Sequence, residues 1–125
     1  MVMKGDGRIQ TGKRGEEFAV AYLKKNGYRI IERNYKCHYG EIDIVAKEGN
    51  TVVFVEVKSR KSEDFGDPQT AVGWEKQKKI SRVALAYLKE KHRYPCDARF
   101  DVVAIKMMPA GNMIELIQNA FEFAF

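Results

Sequence analysis

Four charged residues occupy two short motifs whose side chains can bind a divalent cation and orient water. Glu41 and Asp43 flank a single residue, and so do Glu56 and Lys58 further along the chain. Because side chains alternate along a β-strand, each motif is expected to present both of its charged groups on one face. If the two segments pair as a hairpin, all four groups share one patch.

The residues between the two motifs predict how the strands pair. Glu48–Asn50 is a turn signal between two β-branched runs. With the last two of these residues as the turn, counting outward sets Asp43 opposite Glu56 and Glu41 opposite Lys58. The sequence therefore predicts that the four side chains converge.

Such a patch needs a neutralising partner because directly opposed carboxylates repel one another. Oxygen ligands suit Mg²⁺ or Mn²⁺, which leave coordination positions for water and a substrate phosphate. A cation of this kind lowers the pKa of bound water, as hydrolysis of a phosphodiester requires. Lys58, which is expected to stay charged beside acidic groups, would orient the attacking hydroxide and stabilise the developing negative charge.

The same four residues also fit a simpler interpretation, an exposed charged hairpin face with Glu41 paired to Lys58. The run Val52–Val55 argues against it, because four consecutive apolar residues indicate a strand covered on both faces. Glu56 and Lys58 directly follow this run. Charges at the end of a buried strand are costly unless they are paired or bound to a metal.

The elements that must position these residues follow from periodicity and turn signals. We predict an α/β fold of order α-β-β-β-α-β-β, with one mixed β-sheet flanked by helices. A basic flexible segment over residues 1–14 precedes a single domain over residues 15–125. The predicted elements are a helix over Gly15–Asn26, an edge-like strand over Tyr28–Asn34, strands over Glu41–Lys47 and Thr51–Ser59, a loop over Lys61–Pro68, a helix over Gln69–Lys91, and strands over Arg99–Met107 and Met113–Ile117.

Composition narrows the class of protein. The 125 residues are 45% hydrophobic and 31% charged, as in an ordinary globular domain, and no stretch approaches the roughly 18 apolar residues of a membrane span. The first residues lack the apolar core of a secretory signal, so we expect a cytoplasmic protein. The formal charge of +5 favours a polyanionic partner such as nucleic acid, although a solvated basic surface explains it equally well.

Further residues are candidates for supporting roles. Glu16 begins the apolar stripe of the first helix, where it either serves the site or simply favours the helix N-terminus. Asp101, near the start of a late strand, is either an auxiliary acidic group or a structural one. The apolar C-terminal tail suggests docking against the core or across a homodimer. Candidate contacts to a nucleic-acid backbone, each of which is otherwise a solvated surface group, are Arg60, Lys76, Gln77 and Lys79.

Together with further segments, these motifs resemble those of a known family. The motifs Gly40–Ile44 and Val53–Arg60 are similar to those of the YraN family of uncharacterised bacterial proteins, and the resemblance extends over nearly the whole chain. Further matching segments are Gly15-Glu16-x-x-Ala19-x-x-x-Leu23, Arg33-Asn34, Ala71-Val72 with Lys76, Ala84-x-x-Tyr87-Leu88 and Arg99–Val103.

That family resembles the PD-(D/E)xK restriction-endonuclease superfamily, nearest to archaeal Holliday junction resolvases, with an α-β-β-β-α-β core. The resemblance implies metal-dependent cleavage of DNA. It assigns Asp43, Glu56 and Lys58 to the Asp, Glu and Lys positions and Glu16 to the acidic position of the first helix. Ile42 stands where the pattern has proline, a position that carries no chemistry.

The expected function is therefore a Mg²⁺- or Mn²⁺-dependent endonuclease that acts on DNA, with branched DNA as one candidate substrate. The catalytic residues are expected to be Asp43, Glu56, Lys58 and Glu16, and the metal ligands Asp43, Glu56, Glu41 and Glu16. Two rivals remain: a nucleic-acid-binding module that does not cleave, and an interaction protein whose acidic patch merely binds a cation. Architecture alone does not decide among them.

Overall fold

The structure, a computed structural model, describes residues 7–61, 72–91 and 96–125. Two helices and five strands follow one another in the predicted order, which is confirmed. Their bounds are α1 Gly7–Lys25, β1 Arg29–Cys37, β2 Gly40–Glu48, β3 Thr51–Lys61, α2 Trp74–Glu90, β4 Ala98–Met108 and β5 Gly111–Phe121.

The five strands form one mixed sheet in the order β1-β2-β3-β4-β5. Neighbouring strands are antiparallel except β3 and β4, which are parallel because α2 lies between them in the chain. As predicted, β1 is an edge strand. The chain thus has the α/β architecture expected from its sequence, with β3 at the centre of the sheet.

Strand β3 is central because its first half is apolar at every position. Val52–Val55 are at most 2% exposed. Val52 and Phe54 pack in the cluster that includes residues of α2, whereas Val53 and Val55 pack in the cluster that includes residues of α1. The prediction of a strand covered on both faces is confirmed, and the two helices lie on opposite faces of the sheet.

Several element bounds differ from the prediction, among them those of α1, β1 and β5, and β1 continues to Cys37, beyond the predicted end at Asn34. Helix α1 begins at Gly7 rather than near Gly15. The second half of the helix packs against the sheet, and extending an existing helix costs less than starting a new one. Strand β5 runs over Gly111–Phe121, longer than predicted, because its exposed edge carries polar residues that break the apolar alternation. The predicted loop lies almost wholly at 62–71, outside the described residues, as do the first residues predicted for α2.

Candidate active site

The register predicted for the β2–β3 hairpin is confirmed up to the edge of the candidate site. Glu48 pairs with Thr51 across the turn, and the pairing continues to Ile44 with Val55. It ends one position before Asp43 and Glu56. Beyond that position a side chain replaces the backbone pairing. The Oδ2 of Asp43 accepts a hydrogen bond of 2.8 Å from the Val57 amide.

The regular alternation of side chains is interrupted at Asp43. Ile42 packs in the cluster on the α2 face, but Ile44, two residues later, packs in the cluster on the α1 face. On the neighbouring strand, Asn34 lies between the residues that pair with Ile42 and Ile44, and its φ of 54° is in the left-handed region. The hairpin therefore changes face at this point, which strict alternation does not predict.

This interruption separates Glu41 from the other three predicted residues. The carboxylate of Glu41 is 41% exposed and its Oε2 lies 4.0 Å from Lys36 Nζ. In the described β2–β3 ladder there is no pairing between Glu41 and Lys58. The expected patch of four charges is therefore replaced by a tighter group around Asp43 and Glu56.

Asp43 and Glu56 form a close pair of carboxyl groups, of which Asp43 is half-buried and Glu56 is buried. Glu56 is 7% exposed. Burial, followed by the hydrogen bond and charge of Glu56, raises the pKa of Asp43 to about 8, against the lowering effect of the Val57 amide and Lys76. Two carboxyl groups this close resist simultaneous ionisation, so without a further cation the pair tends to keep a proton.

Lys76, near the start of α2, is the charge partner of Glu56. Its Nζ lies 2.7 Å from Glu56 Oε2. The angles at this contact do not suit a hydrogen bond, so Oε2 is a buried acceptor without an aligned donor in the described residues. Burial lowers the pKa of Lys76, but its contact with Glu56 and the charge of Asp43 outweigh burial and raise it.

Lys58 and Arg60 extend the site along β3. Both side chains are half-buried. The pKa of Lys58 is lowered, first by burial and then by the charges of Lys76 and Arg60, and the opposing effect of Glu56 does not compensate. The sequence predicts that the acidic neighbours keep Lys58 charged, but in the structure burial and the two basic neighbours outweigh Glu56 and lower its pKa.

Glu16 lies in α1 and forms hydrogen bonds with residues of strand β1. Its Oε1 accepts hydrogen bonds from Arg33 Nε and Nη2, at 3.1 and 3.0 Å, and from Asn34 Nδ2 at 3.0 Å. The contact with Asn34 holds the residue at which the hairpin changes face. In the described residues, Glu16 therefore acts on the shape of the hairpin next to Asp43.

The other residues predicted to contact a nucleic-acid backbone lie in two different environments. Gln77 donates from Nε2 to the Val72 carbonyl at 2.7 Å, so its amide supports the start of α2. Lys79, by contrast, lines an open hollow beside Lys76. The sequence predicts Lys76 at the start of the core-facing stripe of the second helix, within reach of the charged patch, and its contact with Glu56 agrees with that prediction.

Gly15 has a role in packing that the sequence does not reveal. A β-carbon built on it would lie 2.3 Å from Ser59 Oγ and 2.7 Å from Ser59 Cβ. No side chain fits there unless the backbones separate. Gly15 therefore lets α1 cross β3 directly beside Lys58, and it places Glu16 at the same crossing.

The donor set fits a divalent cation held by few protein ligands. Within the described part of the chain, no group of three or more His, Cys, Asp or Glu side chains is arranged to hold a metal ion. Two adjacent carboxyl groups with an unaligned buried oxygen nevertheless match Mg²⁺, which commonly takes one or two protein carboxylates and fills its other positions with water and phosphate.

Comparison of the structure with solved proteins finds a distant likeness. The chain aligns with SfsA of Pyrococcus furiosus, solved in complex with Ca²⁺, at a TM-score of 0.43 and 16% identity. The alignment covers 92% of this chain and 65% of that chain. In the described residues, neither helix is both long and apolar enough to cross a membrane.

Sequence relatives are much closer. A UPF0102 protein of Syntrophus aciditrophicus is 53% identical over 125 residues, covering all of this chain and 98% of the relative. One from Geobacter sulfurreducens is 52% identical over 115 residues, covering 91% and 90%. The model of the uncharacterised protein family UPF0102 matches residues 15–105. The chain therefore belongs to the UPF0102 family, which confirms the resemblance to YraN proteins.

Proposed function

We propose that this protein is a Mg²⁺- or Mn²⁺-dependent endonuclease that hydrolyses phosphodiester bonds in DNA. The observation that carries the proposal is the close pair of carboxyl groups of Asp43 and the buried Glu56, which raises the pKa of Asp43. Opposed acidic groups of this kind are costly, and they concentrate where a ligand or ion completes the arrangement.

Asp43 and Glu56 would hold the cation, which supplies charge at the phosphoryl oxygens and lowers the pKa of bound water. The Val57 amide fixes the Asp43 carboxylate through the hydrogen bond to Oδ2. Lys58, two residues after Glu56 on the same strand, orients the attacking water and stabilises negative charge in the transition state. Its lowered pKa makes it a readier proton donor than an exposed lysine.

Glu16 and the remaining basic residues have supporting roles in this proposal. Glu16 holds the hairpin through Arg33 and Asn34, and it binds the cation only if a water bridges the gap. Arg60 and Lys79 contact the phosphate backbone, which positions DNA without reading its sequence. With a cation on Glu56, the Lys76 ammonium would be available to contact the substrate phosphate.

Cleavage assays test the proposal. Labelled linear, single-stranded and four-way-junction DNA are incubated with the protein and Mg²⁺, Mn²⁺ or EDTA. We expect cleavage only with a cation, and a loss of roughly 100-fold or more in Asp43→Asn, because the metal contributes several kcal/mol to the transition state. Asp97→Asn, at an exposed aspartate, is the matched control and is expected to cleave normally.

Cleavage that survives EDTA or Asp43→Asn would contradict the mechanism. One observation favours a second candidate, a nucleic-acid-binding module that does not cleave: Lys76 already sits against the acidic pair. DNA binding in EDTA, with no cleavage of any substrate in either cation, would favour that candidate.

A further inference from the structure

A groove along helix α2 adjoins the acidic pair and is not needed to hold the cation. It consists of two hollows, which together are called the α2 groove here. The first has a volume of about 490 Å³ and lies between Tyr39–Glu41, at the tip of the β1–β2 hairpin, and the first turns of α2. The second, of about 410 Å³, continues along the helix to the C-terminal Phe125. Each has the size of a small-ligand site.

The wall that α2 contributes is basic. Lys76 and Lys79 line the first hollow, and Arg82 and Lys89 line the second. Spacings of three and seven residues place these groups in one stripe along the helix. Apart from Lys76, which contacts Glu56, none of the four has an ion-pair partner among the described side chains, so the stripe attracts a chain of negative charges.

The two hollows meet at an exposed aromatic ring. Tyr39 lines both of them and is 50% exposed. The following residue, Gly40, has a φ of 145°, and a β-carbon on it would lie 3.4 Å from Val83 Cγ2. The hairpin tip therefore lies against α2, and Tyr39 lies beside the basic stripe.

We propose that the α2 groove binds an unpaired single strand of nucleic acid, with one base stacked on Tyr39 and its phosphates along the basic stripe. Base faces inside a duplex are covered by their neighbours, so Tyr39 can stack only on an unpaired base. Lys76 joins the groove to Glu56, so the strand reaches the acidic pair at the first hollow. The inference deepens the proposed function, because it names single-stranded or flapped DNA as the substrate class.

Two carboxylates on the rim of the first hollow, Glu41 and Glu75, set a limit on where the phosphates lie. They repel phosphates, but they accept hydrogen bonds from the exocyclic amino groups of bases. Glu41 lies on the hairpin and Glu75 in the first turn of α2, so the phosphates follow α2 beyond Glu75, from Lys76 towards Lys89, and the bases face the hairpin. This arrangement agrees with the position of Tyr39 on the hairpin.

Binding in EDTA tests the inference without any cleavage. The probes are fluorescein-labelled oligonucleotides of three kinds, namely single-stranded, flapped and blunt duplex DNA, and the readout is fluorescence anisotropy. We expect Tyr39→Ala to weaken binding of the first two by about tenfold and of the blunt duplex by less than twofold. Tyr39→Phe keeps the ring and should bind normally, and so should Met113→Ala, an exposed control on β5.

A second readout reports the stacking directly. The fluorescence of 2-aminopurine placed in the unpaired strand should be quenched on binding to the native protein and to Tyr39→Phe, but not to Tyr39→Ala. Equal losses for all three DNA forms, or quenching that survives Tyr39→Ala, would overturn the inference. Because Tyr39 is half exposed, melting temperatures should not change.

The results also separate this inference from the proposed function. Selective binding through Tyr39 in a protein that cleaves nothing would support the groove and refute the nuclease. Cation-dependent cleavage with no effect of Tyr39→Ala on binding would support the nuclease and refute the groove.

Discussion

Two buried carboxylates lie almost side by side on neighbouring strands, but on opposite faces of the sheet. Asp101 pairs with Val55 in the β3–β4 register, and Glu56 is the next residue along β3. Asp101 faces α1, where it accepts hydrogen bonds from Tyr28 Oη at 2.7 Å, from the Asn119 amide at 2.9 Å and from Arg99 Nε at 3.0 Å.

Glu56, on the α2 face, has a different environment. Its neighbours are a second carboxyl group, that of Asp43, and one lysine whose contact is not an aligned hydrogen bond. A buried charge whose donors are complete stabilises the fold, whereas one placed against another acid weakens it unless a ligand intervenes. The comparison supports a structural role for Asp101, and it is consistent with the cation site proposed at Asp43 and Glu56.

The largest expected effect concerns Asp101. Asp101→Asn removes the negative charge that holds Arg99 and Tyr28, and the half-buried guanidinium keeps only Glu48 as a carboxylate partner. We expect the free energy of unfolding to fall by about 3 kcal/mol, measured by urea denaturation. Asp97→Asn, on the exposed surface, should change it by less than about 0.5 kcal/mol. Equal effects of the two substitutions would remove the contrast drawn here.

The acidic pair is expected to destabilise the folded protein, in contrast to Asp101. This effect should appear as a free energy of unfolding that depends on pH. The pKa of Asp43 in the folded protein is about 8 against an ordinary aspartate value of 3.8, so between these values the folded state keeps a proton that the unfolded state has lost. In EDTA the free energy of unfolding should therefore decrease as pH rises through this window, by about 1 kcal/mol per pH unit.

The control for this measurement is Asp43→Asn. Its side-chain oxygen can still accept the Val57 hydrogen bond, but it cannot ionise. We expect its stability to vary less between pH 5 and pH 8, and to exceed that of the native protein at pH 8. A slope that is the same in both proteins would show that the acidic pair is not the source of the pH dependence.

The sequence predicted most of this fold because its signals are local and strong. The apolar run Val52–Val55 marks a central strand, and the turn signal Glu48–Asn50 sets the hairpin register that the structure confirms up to Ile44 with Val55. Both depend on periodicity of two and on turn chemistry, which act over a few residues. The adjacency of Asp43 and Glu56 follows from them.

Other features depend on conformations or contacts that periodicity does not encode. The change of face at Asp43 accompanies the positive φ of Asn34, a conformation that asparagine tolerates but does not require. Because of this change of face, Glu41 lies apart from Asp43 and Glu56 and is close to Lys36. The helical stripe predicts that Lys76 reaches the charged patch, but the choice of Glu56 as its partner and the close crossing at Gly15 join distant segments, so only the folded chain reveals them.

The central claim, that Asp43 and Glu56 form a cation site, is tested most directly by Mg²⁺ binding at pH 8. The native protein should bind Mg²⁺ in titration calorimetry and gain about 2.7 kcal/mol of stability at 100 times its dissociation constant. Asp97→Asn should behave identically, and Asp43→Asn should show neither heat nor stabilisation. If Asp43→Asn binds Mg²⁺ and is stabilised as the native protein is, the acidic pair is not a cation site.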